Sequence, residues 1–322
     1  TLAGSGNLTL NALGNTWSSG TWSGSGTTTL GTGATLTASG TVTSTVFAGR
    51  TLAIDSGASA TFNGEIELDP GSNVITNAGT LTLAGSRLSH LYNSGGTLTL
   101  TNTGTLIKSG LSSYTLGSVD LSNTGILNVT GGTLNYISGT GSSSGTVNIA
   151  SGATWETGGG TMVFAAGSTL TNAGTLLSSN GSTTIAQASA FTGGITLSGG
   201  TLAVDAATSV AGVFAQSGGS TLAGSGNLTL NAAGNTWSSG TWTGSGTTTL
   251  GTGATLTASG STTSTVFSGR TLAIDSGASA TFNGEIELET GISAINNAGT
   301  LTLDGTRLSH FFNSPGTLDL TN

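Results

Sequence analysis

Thr146 to Ile185 reads TVNIASGATWETGGGTMVFAAGSTLTNAGTLLSSNGSTTI, and the spacing within it decides the fold. Short pieces that alternate polar and aliphatic residues begin near 146, 153, 161, 168, 175 and 183, about seven residues apart. Thr146-Val-Asn-Ile149 and Thr161-Met-Val-Phe164 show the pattern, each bounded by Gly, Ser or Asn. Alternation of period two with turn formers at both ends is the signature of a strand. A helix needs an apolar stripe of period 3.6 and good helix formers, and glycine every few residues opposes both.

Working outward, the same pieces recur as Thr80-Leu-Thr-Leu83, Thr97-Leu-Thr-Leu100, Ile126-Leu-Asn-Val129 and Thr133-Leu-Asn-Tyr136. Asn-x-Gly corners fall at Asn77, Asn102 and Asn123, 25 and then 21 residues apart. Three strands of seven residues make a coil of about 21, which predicts an all-β fold: a right-handed parallel β-helix (solenoid) with three short strands per coil. The handedness follows the right-handed crossover rule. A β-sandwich would space its strands at roughly 8–12 residues and without this register. Each Leu, Val or Ile then points inward and stacks on its counterpart one coil away, while Thr, Ser and Asn face water. Gly and Asn are expected to supply positive-φ corners. Phe47, Phe62 and Phe164 read as core.

A longer period lies over the short one. Thr1–Asn102 returns without a gap as Thr221–Asn322, with 17 mismatches over 102 positions, among them Leu13/Ala233, Pro70/Thr290, Tyr92/Phe312 and Thr99/Asp319. The expected organisation is one continuous β-helix over 1–322, in which 1–102 and 221–322 are copies and 103–220 completes a 220-residue period. The chain thus reads as a window on a tandem array. One period holds about ten coils and, at about 4.8 Å between stacked strands, advances roughly 50 Å; the whole chain makes about 15 coils.

Composition narrows the function. Gly is 56 of 322 residues and charged residues are 6%, with 5 bases against 13 acids and Lys108 as the single lysine. A net charge of −8 argues against nucleic acid, whose binders carry a basic footprint. The chain has no cysteine, which fits a secreted protein that avoids disulfides during export. No run of 18 apolar residues offers a membrane-spanning helix. No signal peptide opens the chain, as expected of an interior window or a mature form.

The units Asn77–Leu83 and Asn297–Leu303 read Asn-Ala-Gly-Thr-Leu-Thr-Leu, with Asn172–Leu177 a near match. They resemble the β-strand repeats of bacterial autotransporter passengers and filamentous-haemagglutinin-type adhesins, and the resemblance extends over essentially the whole chain. It implies a right-handed parallel β-helix exported across the outer membrane and acting at the cell surface as an adhesin, biofilm component or stalk.

Parallel β-helices also carry polysaccharide lyases and hydrolases, so acid pairs need inspection. Glu65 and Glu67, repeated as Glu285 and Glu287, stand two apart on a strand and share its outward face. They suit either an acid/base or cation site or a solvated strand face bridged by the arginine one coil on, Arg87 or Arg307. His90 and His310 lie in Arg-Leu-Ser-His without a nucleophile or second acid nearby in sequence. Zinc lacks Cys or paired His. A calcium cage lacks oxygen ligands around Asp55, Asp69 and Asp120. Gly-Ser-Gly strings precede no helix and are turn chemistry, not phosphate loops.

Trp17 and Trp22, with Trp237 and Trp242, either stack on sugars at the surface or fill a wide corner of the core. Outward threonines at Thr27 to Thr29, Thr80/Thr82 and Thr97/Thr99/Thr101 raise an ice-binding module, although Asn, Ser, Glu and Arg interrupt the ranks.

The reading that follows is a non-enzymatic, secreted structural or adhesive repeat protein forming a rod or filament for attachment, cell–cell contact or biofilm matrix. It has no catalytic, cofactor-binding or metal residues. The candidate contact residues are Trp17, Trp22, Glu65, Glu67, Arg87, His90 and their copies Trp237, Trp242, Glu285, Glu287, Arg307 and His310. Expected partners are copies of itself, end to end or laterally, and cell-surface glycans or proteins, with no nucleic acid. The alternatives are a polysaccharide-acting enzyme on a β-helix scaffold and the ice-binding module.

Overall fold

The computed structural model describes residues 1–41, 44–90, 95–261, 264–310 and 316–322; the Tyr92/Phe312 exchange lies outside them. All regular structure among the described residues is strand, most strands three or four residues long. The strands pair in parallel and stack as a β-solenoid of about 14 turns, with roughly 21 residues per turn. The expected 15 is slightly high because some coils carry extra residues at their corners: Thr27 faces Thr51, and Ser72 faces Thr97.

Contacts divide the chain into two compact units, Thr1–Met162 with Gly167–Leu170, and Val163–Ala166 with Thr171–Asn322. In the first, successive strands of a coil join three sheets in turn. One face contains Thr27–Leu30, Thr51–Ile54, Ser72–Asn77, Thr97–Asn102, Val119–Asn123 and Thr140–Ser143. A second contains Ser59–Phe62, Thr80–Leu83, Thr105–Lys108 and Ile126–Val129. A third contains Glu65–Leu68, Arg87–Ser89, Ser113–Leu116, Thr133–Tyr136 and Thr154–Thr157. The second unit repeats the scheme, with Thr201–Val204, Thr208–Val210 and Phe214–Gln216 as the three strands of one coil.

The alternation works as the pattern requires. Leu52, Ile75, Leu100 and Leu121 stand opposite one another on adjacent strands, and each is at most 2% exposed. Burying such a side chain contributes about 1.5–3 kcal/mol. Phe47, Phe62 and Phe164 are core residues as expected.

The Asn-x-Gly corners work differently from the expectation. The positive-φ residues among those described are glycines and Ser118 (φ 56°), with no asparagine among them. Asn77, Asn102 and Asn123 are buried and form a ladder: Asn77 Nδ2 donates to Asn102 Oδ1 (2.6 Å), Asn102 Nδ2 to Asn123 Oδ1 (2.6 Å), and Asn123 Nδ2 to Ser143 Oγ (2.8 Å). Each also donates to a strand carbonyl about one coil on, Thr105, Ile126 and Thr146 in turn. The glycine two places later is needed for space. A Cβ on Gly104 would fall 2.2 Å from the Gly79 carbonyl oxygen, and one on Gly125 the same distance from that of Gly104. Both residues of the motif therefore serve coil-to-coil stacking.

Buried cations add a second kind of tie. Arg50 is 1% exposed; its Nε donates to Thr28 Oγ1 (2.7 Å), while Nη1 and Nη2 reach back to the carbonyls of Gly4 (3.3 Å) and Gly6 (3.0 Å). Its copy Arg270 repeats the arrangement on Thr248, Gly224 and Gly226. Each arginine thus pins a glycine corner 46 and 44 residues earlier, about two coils away. Lys108 donates to three backbone carbonyls, those of Ser109, Gly110 and Gly131 at 2.7, 3.0 and 3.0 Å.

Candidate functional site

The tryptophans are not surface contacts. Trp17, Trp22, Trp237 and Trp242 are 4%, 8%, 0% and 0% exposed. Each occupies an inward position of its strand, and the two of each copy come from consecutive strands meeting at one corner. Their rings stack at 4.3 Å between centroids in the first copy and 4.4 Å in the second, nearly parallel. Trp17 Nε1 donates to the Gly20 carbonyl (3.1 Å) and Trp237 Nε1 to that of Gly240 (3.0 Å), so the polar edge is met inside. Trp242 Nε1 also finds Gln216 Oε1 at 2.6 Å. Sequence left both placements open because a Trp on an alternating strand buries its ring or displays it according to phase alone.

The acids and the arginine do come together on adjacent strands. Arg87 stands opposite Glu65, and Ser89 opposite Glu67. In the second unit Arg307 stands opposite Glu285, and Ser309 opposite Glu287. Glu65 Oε1 accepts from Ser86 Oγ (3.0 Å), and Glu285 Oε1 from Thr306 Oγ1 (2.9 Å), so the Ser86/Thr306 exchange keeps the bond. Glu65, Arg87, Glu285, Glu287 and Arg307 are half-buried. Glu67 is a correction: at 7% exposure it is covered, between Val46 and Ser89 in register on the neighbouring strands, whereas Glu287 between Val266 and Ser309 stays half-buried. It is not available as a surface contact.

The histidines differ between copies. His310 is exposed. His90 is half-buried, with Nδ1 2.6 Å from Ser118 Oγ. Ser118 has positive φ, and its N–H donates to Ser138 Oγ (2.7 Å). That backbone donor is therefore engaged with a side chain.

Four groups escaped the sequence reading as contributors. Arg50, Arg270 and Lys108 look like surface charges by residue type, and no local pattern signals that each sits in a cradle of carbonyls. Burial lowers the Lys108 pKa, and pushes that of Arg270 down to about 10. Asp120 is the fourth. It is exposed, and its Oδ1 accepts from both the N–H and the Oγ1 of Thr140, each at 2.9 Å. Beneath it, Tyr136 donates its hydroxyl to the Val119 carbonyl. Burial first, then the Asp120 charge, raises the Tyr136 pKa.

Among the described residues, no three of His, Cys, Asp and Glu stand close enough to hold a metal ion. No described helix is long and apolar enough to cross a membrane. No family model matches the chain, and no curated protein or solved structure matches it.

Proposed function

We propose that this chain is a non-enzymatic structural or adhesive repeat protein of the cell exterior, resembling autotransporter and filamentous-haemagglutinin-type passengers. In this reading it spans distance as a stalk or filament and associates with copies of itself or with cell-surface glycans or proteins. One observation carries the reading: the two copies rebuild the same surface group, Glu65 facing Arg87 and Glu285 facing Arg307, on the same kind of coil. Repeating one patch along a chain suits multivalent, individually weak contact, in which linked sites raise avidity without any new contact. The acid pair offers less to a hydrolase, since Glu65 stands opposite Arg87 in register and Glu67 is covered.

Electron microscopy of the native material tests the structural part. A filament with axial stacking at about 4.8 Å and a superperiod near 50 Å is the expected result. Compact particles with no axial repeat would sink it. Adherence of the purified chain to cells, or of beads coated with it to one another, tests the adhesive part.

A further inference from the structure

The first unit carries a shallow, open groove of about 250 Å³ bordered by Thr99, Asp120, Ser122, Thr140 and Ser142. All five side chains are exposed. Strand register sets them in two columns. Thr99 stands opposite Asp120, whose Oδ1 holds Thr140, and Thr101, Ser122 and Ser142 follow one another two residues along. Steps within a column are about 4.8 Å, and the columns lie about 7 Å apart. The floor is low because every outward side chain here is short. Gly141 takes the inward place that Leu100 and Leu121 hold on the preceding strands, and Met162 fills the space, its Sδ 2.7 Å from where a Cβ would stand.

The Asp120 carboxylate is fixed in this lattice. Two hydrogen bonds from Thr140 hold Oδ1 on a rigid sheet. A carboxylate offers about four acceptor sites, so two donors more can be taken. Hydroxyls on either side both donate and accept. That set complements a ligand whose own surface is a row of neighbouring hydroxyls. A divalent cation asks for about six oxygens with more than one carboxylate among them. An acidic ligand meets Asp120 and a chain of net charge −8.

We propose that this groove binds neutral oligosaccharides, with Asp120 accepting from a pair of adjacent sugar hydroxyls and Thr99, Ser122 and Ser142 contacting their neighbours. The proposal rests on the adhesive reading and names the partner class for it. Among the described residues no aromatic ring lines the groove, so hydrogen bonds carry the binding and single-site affinity is in the millimolar range.

Saturation-transfer NMR and titration of the full chain with cellohexaose, chitohexaose and mannohexaose test it, with oligogalacturonate as the charged control. The expected result is binding of at least one neutral hexaose, weakened about tenfold or more by Asp120→Asn, the scale of a charge-assisted hydrogen bond. Thr140→Val removes the hydroxyl bond to the carboxylate, leaving the backbone one, and weakens binding in the same direction. Ser209→Ala, in a second shallow groove bordered by Thr208 and Asn227, leaves it unchanged. Circular dichroism and urea midpoints of the Asp120 variant match the parent, because the side chain is exposed. Failure of all three neutral hexaoses to bind, or binding indifferent to Asp120→Asn, overturns the proposal. Cell adherence that persists in Asp120→Asn also overturns it while leaving the adhesive reading standing. A parent chain that binds hexaose but adheres to nothing refutes the adhesive reading alone.

Discussion

At the scale of single residues, the buried cations and hydroxyls carry the sharpest consequences. Arg270 is fully covered and donates to neutral acceptors, so Arg270→Met takes the donor from buried Thr248 Oγ1 and from the Gly226 carbonyl, while the Gly224 carbonyl keeps the Gly246 N–H. Each orphaned buried acceptor costs about 1–3 kcal/mol, so a loss of about 2–4 kcal/mol in a urea titration is expected. Arg270→Lys should recover little of it, since an ammonium cannot reproduce the planar fork. Tyr114 runs the other way. It is fully buried with no hydrogen-bond partner for its hydroxyl among the described residues, and burial raises its pKa above the ordinary 10.0. A folded pKa above the unfolded one gives stability present below pH 10 and lost as pH rises beyond it. Tyr114→Phe should therefore match or exceed the parent at pH 8, by up to about 1 kcal/mol. Above pH 10 it should lose less, by up to about 1.4 kcal/mol per pH unit. A parent and variant whose denaturation midpoints fall in parallel between pH 9 and 11 would refute this assignment. None of these placements is written in residue type. Arg50 and Lys108 are buried because the corner carbonyls of neighbouring coils converge on them, a long-range fact that a local pattern does not contain.

At the scale of the coil, the ladder and its glycines hold the stack in register. Asn102 both donates and accepts within the buried column, so Asn102→Leu leaves Asn77 Nδ2 and Asn123 Oδ1 each short of a partner. The expected cost is about 2–4 kcal/mol. Asn102→Ser should retain part of the stability, because Ser143 already ends the same ladder. Gly104→Ala should be at least as damaging, since the clash is with backbone of the coil before. Hydrogen exchange of the amides of Thr103 and Gly104, which donate to the Asn77 carbonyl, reports both directly. This is also the scale at which the sequence was most legible. Period-two alternation and a 21-residue rhythm are local and exact enough to give parallel strands, three to a coil, and an aliphatic core. The Asn-x-Gly corners were legible as positions and misread as conformations. Asparagine and glycine are the residues of positive φ, and nothing in a single coil reveals that the next coil claims the side chain of one and the Cβ space of the other. Which of the two acids stands opposite Arg87 was not legible for a related reason, since the coil from Glu65 to Arg87 is 22 residues and a mean period does not fix a particular register.

At the scale of the whole molecule, the placement of charge decides what the surface can meet. Of the 5 basic side chains, Arg50, Lys108 and Arg270 are buried on carbonyls, and Arg87 and Arg307 stand opposite glutamates. The 13 acids are spread along the chain, so the water-facing surface is more one-signed than the formal charge of −8 conveys. Such a surface repels polyanions and its own copies alike, over about 8–10 Å at physiological ionic strength. The chain should therefore pass unretained through a heparin column and leave anionic vesicles unbound. If copies associate side by side, light scattering should show association growing from low salt to about 0.5 M, where the screening length falls to a few ångströms. Association that is strongest at low salt would mean that opposite charges meet at the contact, and would move the search for it to the strips around Arg87 and Arg307. Association indifferent to salt would place it on apolar surface, where Leu13 and Leu111 are the first residues to replace by serine, at 76% and 93% exposure.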